Sequence, residues 1–166
     1  EILIETVTHA FEIARRYGVT TLLNPAPAKE LPESLLKLTD IIVPNETEAA
    51  LLSGASLEEK QFCDKTAAYF QDLGIKTVIV TLGEAGAYVA TASLQQHVPG
   101  NKVTAVDTTA AGDTFIGAFV SRFDEVSMNL VEAITYANRA SALTVQKAGA
   151  QVSIPTQQET DDATFE

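Results

Sequence analysis

The chain has 166 residues, of which 46% are hydrophobic, which suits one domain of α/β size with a sizeable core. Its net charge of −11 argues against non-specific nucleic-acid binding, and no apolar run is long enough to span a membrane. The single cysteine, Cys63, has no internal disulfide partner, so a reducing cytoplasm is the expected setting. The surplus of acid does not exclude ATP, whose phosphates are held by backbone amides and a bound cation whatever the global charge. The chain begins at Glu1 and its only methionine is Met128, which reads as a fragment or a processed product.

Taken in order, residues 2–17 carry Ile2, Val7, Phe11 and Ala14 near one face and predict an amphipathic helix, ended by Gly18. Val19 to Leu23 predicts a strand, stopped by the Asn24-Pro25-Ala26-Pro27 loop. A short helix over Pro32 to Leu38 and a buried strand over Asp40 to Val43 follow. Thr47 to Ser53 reads as a helix ended by Gly54. Ser56 and Glu59 have the spacing of a capping box for the next helix, which carries Phe62, Ala67, Phe70 and Leu73.

Thr77 to Leu82 is the strongest strand, turned by Gly83 to Gly86 and returning over Ala87 to Thr91. Gln95 to Pro99 and Val103 to Val106 read as further strands. Helices are expected after Asp113 and over residues 128–146, and the acidic tail from Gln157 is expected to fray. Alternating strands and helices predict a layered α/β/α fold around a mostly parallel sheet, in one unit over 1–166. Ligands in such sheets bind beyond the strand carboxyl ends, where Asn45, the 83–86 turn and the 110–113 turn fall.

The stretch Asp107 to Phe119, DTTAAGDTFIGAF, carries the chemistry. Ala110, Ala111 and Gly112 form a small-residue turn into a helix, whose first N–H groups and positive dipole end suit an anion. Asp113 sits beside that site. In a loose phosphoryl-transfer transition state the attacking hydroxyl loses its proton late, so a positioned weak base serves. Taken alone, AAGD is more simply an ordinary helix start with a favourable first-turn acid. Asn45 and Glu48 read alone as a helix cap, and Gly83 to Gly86 as a hairpin turn. His9, His97 and the four tyrosines suggest surface or packing roles.

The full stretch resembles the second signature of the ribokinase, or PfkB, family of sugar kinases, and the likeness runs from about Thr21 to Pro155. The resemblance implies that Asp113 is the catalytic base and that the backbone of Ala110, Ala111 and Gly112 is the anion hole. Many relatives carry Gly at the place of Ala110; Ala fits there if it keeps a negative φ. The resemblance further assigns Asn45, Thr81, Gly83, Glu84, Gly86 and Asn138 to ATP, with Asn138 near adenine, and Glu48 to organising Mg²⁺ through water. It places a monovalent cation, K⁺, among Asp107, Thr109, Thr144, Lys147, Gly149 and Ser153, with Lys147 able to offer only its carbonyl.

The NPAP loop and PNETEA at 44–49 favour ribokinase within the family. The implied reaction is transfer of the ATP γ-phosphoryl group to D-ribose, with fructose, deoxyribose or a nucleoside as alternative acceptors. The chain corresponds to the carboxy-terminal, ATP-binding half, so the implication is that it is inactive alone and that the full-length protein is a homodimer. The remaining alternative is a nucleotide-binding fragment that does no chemistry.

Overall fold

The computed structural model describes residues 2–165; Glu1 and Glu166, the ends of the expected 1–166 unit, lie outside them. The chain forms two compact units, one running to Thr81 with Tyr88–Gln96 added, the other made of Leu82–Ala87 and the residues from His97 on.

The first unit carries a helix, α1 (Ile4–Arg16), then β1 (Leu22–Leu23), α2 (Glu33–Leu36), β2 (Ile41–Ile42), α3 (Glu46–Ser53), α4 (Phe62–Asp72) and β3 (Thr77–Thr81). β1 pairs with β2 and β2 with β3, both parallel, with Leu22 opposite Ile41 and Ile41 opposite Thr77. β4 (Gly86–Ala90) and β5 (Gln95–Pro99) complete a sheet of order β1-β2-β3-β4-β5. The links from β3 to β4 and from β4 to β5 are too short for a crossover, so those strands run antiparallel and the sheet is mixed.

β3 explains why the sheet holds. Thr77, Val78, Ile79 and Val80 are all buried, on both faces of the strand, as in strands covered on both sides. Phe70 of α4 is fully buried, and α4 packs on β3. By contrast α1 buries no residue completely: Ile2 and Leu3 ahead of it are 63% and 74% exposed, and Ile13 is 41% exposed.

In the second unit α5 (Ala111–Arg122) packs along α6 (Leu130–Thr144). Phe115 and Phe119 of α5 are buried, and Ala133, Ile134, Ala137 and Ala140 give α6 a stripe of mostly small residues that lets the helices approach closely. Each such phenyl ring contributes roughly 2–3 kcal/mol by burial. Phe119 also stacks on Phe123 with ring centroids 5.1 Å apart.

Three expectations are corrected. Ser56 does not cap a helix: its carbonyl accepts from Glu59 N–H and Glu59's carbonyl from Phe62 N–H, a run of turns that delays α4 to Phe62. Glu59 instead pairs with Lys65. Val103 to Val106 is not a strand, because the N–H groups of Val106 and Asp107 both donate to the Val145 carbonyl at the end of α6. The acidic tail does not fray at Gln157 but forms α7 (Gln157–Asp162). Thr156 and Glu159 make a full capping box there, and Arg139 donates to the carbonyls of Asp161 and Ala163.

Candidate active site

In the first unit the carboxyl ends of β2 and β3 bring Asn45, Glu48 and Thr81 together. Thr81 N–H donates to the Pro44 carbonyl at 3.0 Å, and Asn45 and Thr81 form a parallel bridge. Asn45 caps α3: its Oδ1 accepts from Glu48 N–H and its own N–H donates to Glu48 Oε2, both at 2.9 Å. Asn45 is exposed and Glu48 is only 7% exposed. The capping reading of these residues is therefore realised, with one Glu48 oxygen committed to it.

At the opposite end of the same strands Asp40 gathers Lys76 at 2.9 Å, Arg15 at 3.8 Å and the Thr21 hydroxyl. Burial pushes the Asp40 carboxyl up, but Lys76 and Thr21 together hold it below its ordinary value. This is a brace for the strand starts, at the end away from Asn45 and Thr81.

In the second unit the 83–86 turn is a single 3₁₀ turn closed by Leu82 N–H to the Gly86 carbonyl at 2.8 Å. Its two glycines differ. Gly83, with φ +55°, has nothing within 4 Å of where a Cβ would stand. Gly86, with φ +97°, would place a Cβ 2.2 Å from the Val98 carbonyl oxygen, so the close approach there is to the chain's own backbone. Glu84 is exposed on the turn. Asn138 is buried on α6 and donates from Nδ2 to the carbonyls of Val98 and Pro99 at 3.2 and 3.1 Å.

The 107–113 segment enters α5 through Ala110, whose φ is +61°. The expected negative φ is not what the chain adopts: Ala110 is left-handed, a state that costs an L-residue about 1–2 kcal/mol. Ala111 N–H is spent on the Thr108 carbonyl at 3.2 Å. Among the described residues, the N–H groups of Ala110, Gly112 and Asp113 have no acceptor in the chain. Against the expected 110–112 set, the open donors thus lose Ala111 and gain Asp113. Gly112 has open space on its Cβ side, and Asp113 is exposed beside it. Asp113 borders a cavity of about 450 Å³ with Thr114, Gly117, Ser121, Tyr136 and Thr160.

α6 holds this entry in place through Ser141, which the sequence did not mark as a site residue, and through Thr144, which was expected only around the cation. Ser141 donates to the Ala111 carbonyl at 3.1 Å, and the buried Thr144 hydroxyl donates to Thr114 Oγ1 at 3.1 Å. Small polar residues on an otherwise apolar helix stripe were the available signal.

The expected cation loop is drawn together around Asp107. Oδ1 accepts from Thr109 N–H and Oδ2 from Gly149 N–H, each at 2.9 Å. These bonds, Gly149's first, hold the Asp107 carboxyl at about 2. Thr144's carbonyl accepts from Lys147 N–H, Lys147 Nζ lies 3.4 Å from Glu159, and the buried Ser153 donates to the Ala150 carbonyl. The donor set is oxygen only, with one carboxylate held in its charged form, which fits a hard cation such as K⁺ and not a transition metal. Among the described residues no group of three or more His, Cys, Asp and Glu could hold a metal ion.

The entry to α5 thus combines open amides, an acid in its first turn and a loop of oxygen atoms behind it. The pattern of the pfkB family of carbohydrate kinases matches residues 1–157, and the chain belongs to that family. It is similar to the ribokinase of Staphylococcus aureus (strain COL), 59% identical over 155 residues, which is 93% of this chain and 51% of that protein. The deoxyribokinase of Salmonella typhi is 39% identical over 93% of this chain and 51% of its own length. The structure of Arabidopsis thaliana ribokinase complexed with ribose and ATP matches with a TM-score of 0.86 at 30% identity, over 96% of this chain and 52% of that one. The chain thus spans about half the length of the curated relatives it matches. No helix among the described residues is long and apolar enough to cross a membrane.

Proposed function

We propose that this chain is the ATP-binding, carboxy-terminal portion of a ribokinase, which transfers the γ-phosphoryl group of ATP to the 5-hydroxyl of D-ribose. The observation that carries the reading is the entry to α5, where open amides and Asp113 stand side by side. The ribose 5-oxygen attacks phosphorus, the bond to the β,γ-bridging oxygen breaks, and ADP leaves with that electron pair. Asp113 accepts the hydroxyl proton as the new bond forms. The N–H groups of Gly112 and its neighbours meet the charge on the transferred group, aided by the dipole of α5.

Mg²⁺, when bound, would neutralise charge on the β- and γ-phosphates. Glu48 and Asn45 would order its water and the nucleotide phosphates. Thr81, Gly83, Glu84 and Gly86 would line the nucleotide and Asn138 would stand near adenine. K⁺ held by the carbonyls and carboxylate of the 107–109 and 147–153 loops would fix the turn at Ala110. A cytoplasmic setting fits the half-buried Cys63, whose thiol is pushed up by burial first and then by Asp64 and Glu46.

The likeness to a deoxyribokinase supports a second acceptor, 2-deoxyribose. Both readings are tested by ADP release from the full-length kinase over a panel of sugars. Turnover highest with ribose supports the first, highest with deoxyribose the second. No sugar-stimulated ADP release would refute both.

A further inference from the structure

The 83–86 turn is held from outside as well as by its own Leu82–Gly86 bond. It rests on the end of β5, backbone against backbone. A Cβ on Gly86 would meet the Val98 carbonyl oxygen at 2.2 Å and Gly100 N at 2.3 Å. A Cβ on Gly100 would meet the Glu84 carbonyl oxygen at 2.5 Å. Contact this close leaves no side chain between the two segments to absorb a displacement. The Ala85 carbonyl is then claimed twice from β5 and its end, by Gly100 N–H at 3.2 Å and by His97 Nε2 at 2.7 Å.

Behind that strand end stands Asn138. A side-chain amide has two N–H donors on one nitrogen, and Asn138 spends that nitrogen on two consecutive carbonyls, Val98 and Pro99. Two acceptors on one side also fix which way the amide faces. The residue is buried on the inner stripe of α6, between Ala137 and Ala140 in sequence. A rigid helix therefore grips residues 98–99, and these carry the turn.

We infer that Asn138 and His97 are positioning residues that set where the 83–86 turn stands and thereby how well it receives a nucleotide. The inference rests on the reading of that turn as part of the ATP site. Asn138 acts from the back, through Val98 and Pro99. His97 acts from the side, through Ala85. His97 governs affinity without touching the ligand; for Asn138, which the proposed site also sets near adenine, the exchange readout separates the brace from direct contact.

The experiment uses this chain with Mg²⁺ and a fluorescent N-methylanthraniloyl ATP, together with amide hydrogen exchange at Gly100 and Leu82, the two N–H donors that hold the turn. Asn138→Leu removes both donors at nearly constant volume. His97→Phe keeps the ring and removes the nitrogen; His97→Gln restores an N–H donor. Exchange at the two amides should quicken in Asn138→Leu and His97→Phe and stay near normal in His97→Gln. Loss of hydrogen bonds of this kind corresponds to about 5- to 30-fold weaker binding for Asn138→Leu and a few-fold for His97→Phe.

Unchanged exchange in both variants overturns the brace. Faster exchange with unchanged affinity overturns its role in positioning. If the unaltered chain binds no nucleotide, the ATP reading fails and the inference with it, while the exchange data still tell whether the brace exists. If Asn138→Leu does not fold, the His97 pair, on an exposed side chain, decides the matter alone.

Discussion

Asp107 and Gly149, 42 residues apart in sequence, are joined by a 2.9 Å hydrogen bond from the glycine N–H to the carboxylate. Through this bond the segment entering α5 and the loop leaving α6 become one piece. Gly149 has φ +97°, so the loop meets the carboxylate in a backbone state that L side chains rarely adopt. The same carboxylate holds Thr109, one residue before the left-handed Ala110.

This bond predicts a pH dependence. The Asp107 carboxyl sits at about 2 in the folded chain, below its ordinary 3.8, because Gly149 and then Thr109 donate to the charged form. A pKa lowered by folding adds stability that is complete above the unfolded value and disappears as pH falls through the folded one. Thermal melts should therefore show Asp107→Asn less stable than the parent at pH 6, with the gap closing between about pH 4 and pH 2. A gap that stays constant to pH 2 would contradict it.

Asp113→Asn in the full-length kinase should lower kcat by about 10²–10⁴-fold. Affinity for ATP should change little, because the exposed carboxylate is not one of the anion donors. Initial rates of ADP release and direct nucleotide titration separate the two effects. Near-normal turnover would remove Asp113 from the mechanism.

Ala110 makes a backbone prediction. Glycine pays no Cβ penalty at φ +61°, but it loses more chain entropy on folding. The balance favours Ala110→Gly by about 0.5–1 kcal/mol. Ala110→Val should cost about 1–2 kcal/mol, since a β-branched residue tolerates this region worse. Urea midpoints in the order Gly, Ala, Val from highest to lowest are the expected result.

Glu48 is tested without nucleotide or metal. Because its carboxylate completes the cap of α3, Glu48→Ala should destabilise the chain by about 1 kcal/mol. Equal urea midpoints for parent and variant would leave Glu48 with no role in the cap.

Activity of the full-length kinase should depend on a monovalent cation, with K⁺ better than Na⁺, through the oxygen donors around Asp107. Exhaustive removal of K⁺ should abolish most turnover and its return should restore it. Unchanged turnover after removal would exclude a functional ion there.

What was legible in the sequence is what short-range pattern controls. TVIVT at 77–81 is apolar on both faces and could only be an inner strand. The alanine stripe of α6 announced its packing, and DTTAAGD placed the acid at a helix start. Distant partners decided the rest. Lys-Val-Thr-Ala-Val at 102–106 alternates like a strand, but the N–H at its end finds Val145 instead of a sheet neighbour. Gly83 and Gly86 look alike in sequence, yet one faces open space and the other the backbone of residues 98–100. The helix at Gln157 has a local signal, the capping-box spacing of Thr156 and Glu159, set in a tail whose acidic composition points the other way.

The exposed α1 has a consequence for the lifetime of the chain in a proteolytic environment. A helix that buries no residue completely contributes little to global stability, so it opens far more often than the sheet does. Arg15 and Arg16 at its end are then presented to a trypsin-like protease before any core residue is. Arg15 is tethered there, by its bond to the Lys37 carbonyl and its approach to Asp40. In this stretch of chain, cleavage should start at Arg16 and leave the strands from Leu22 onward intact.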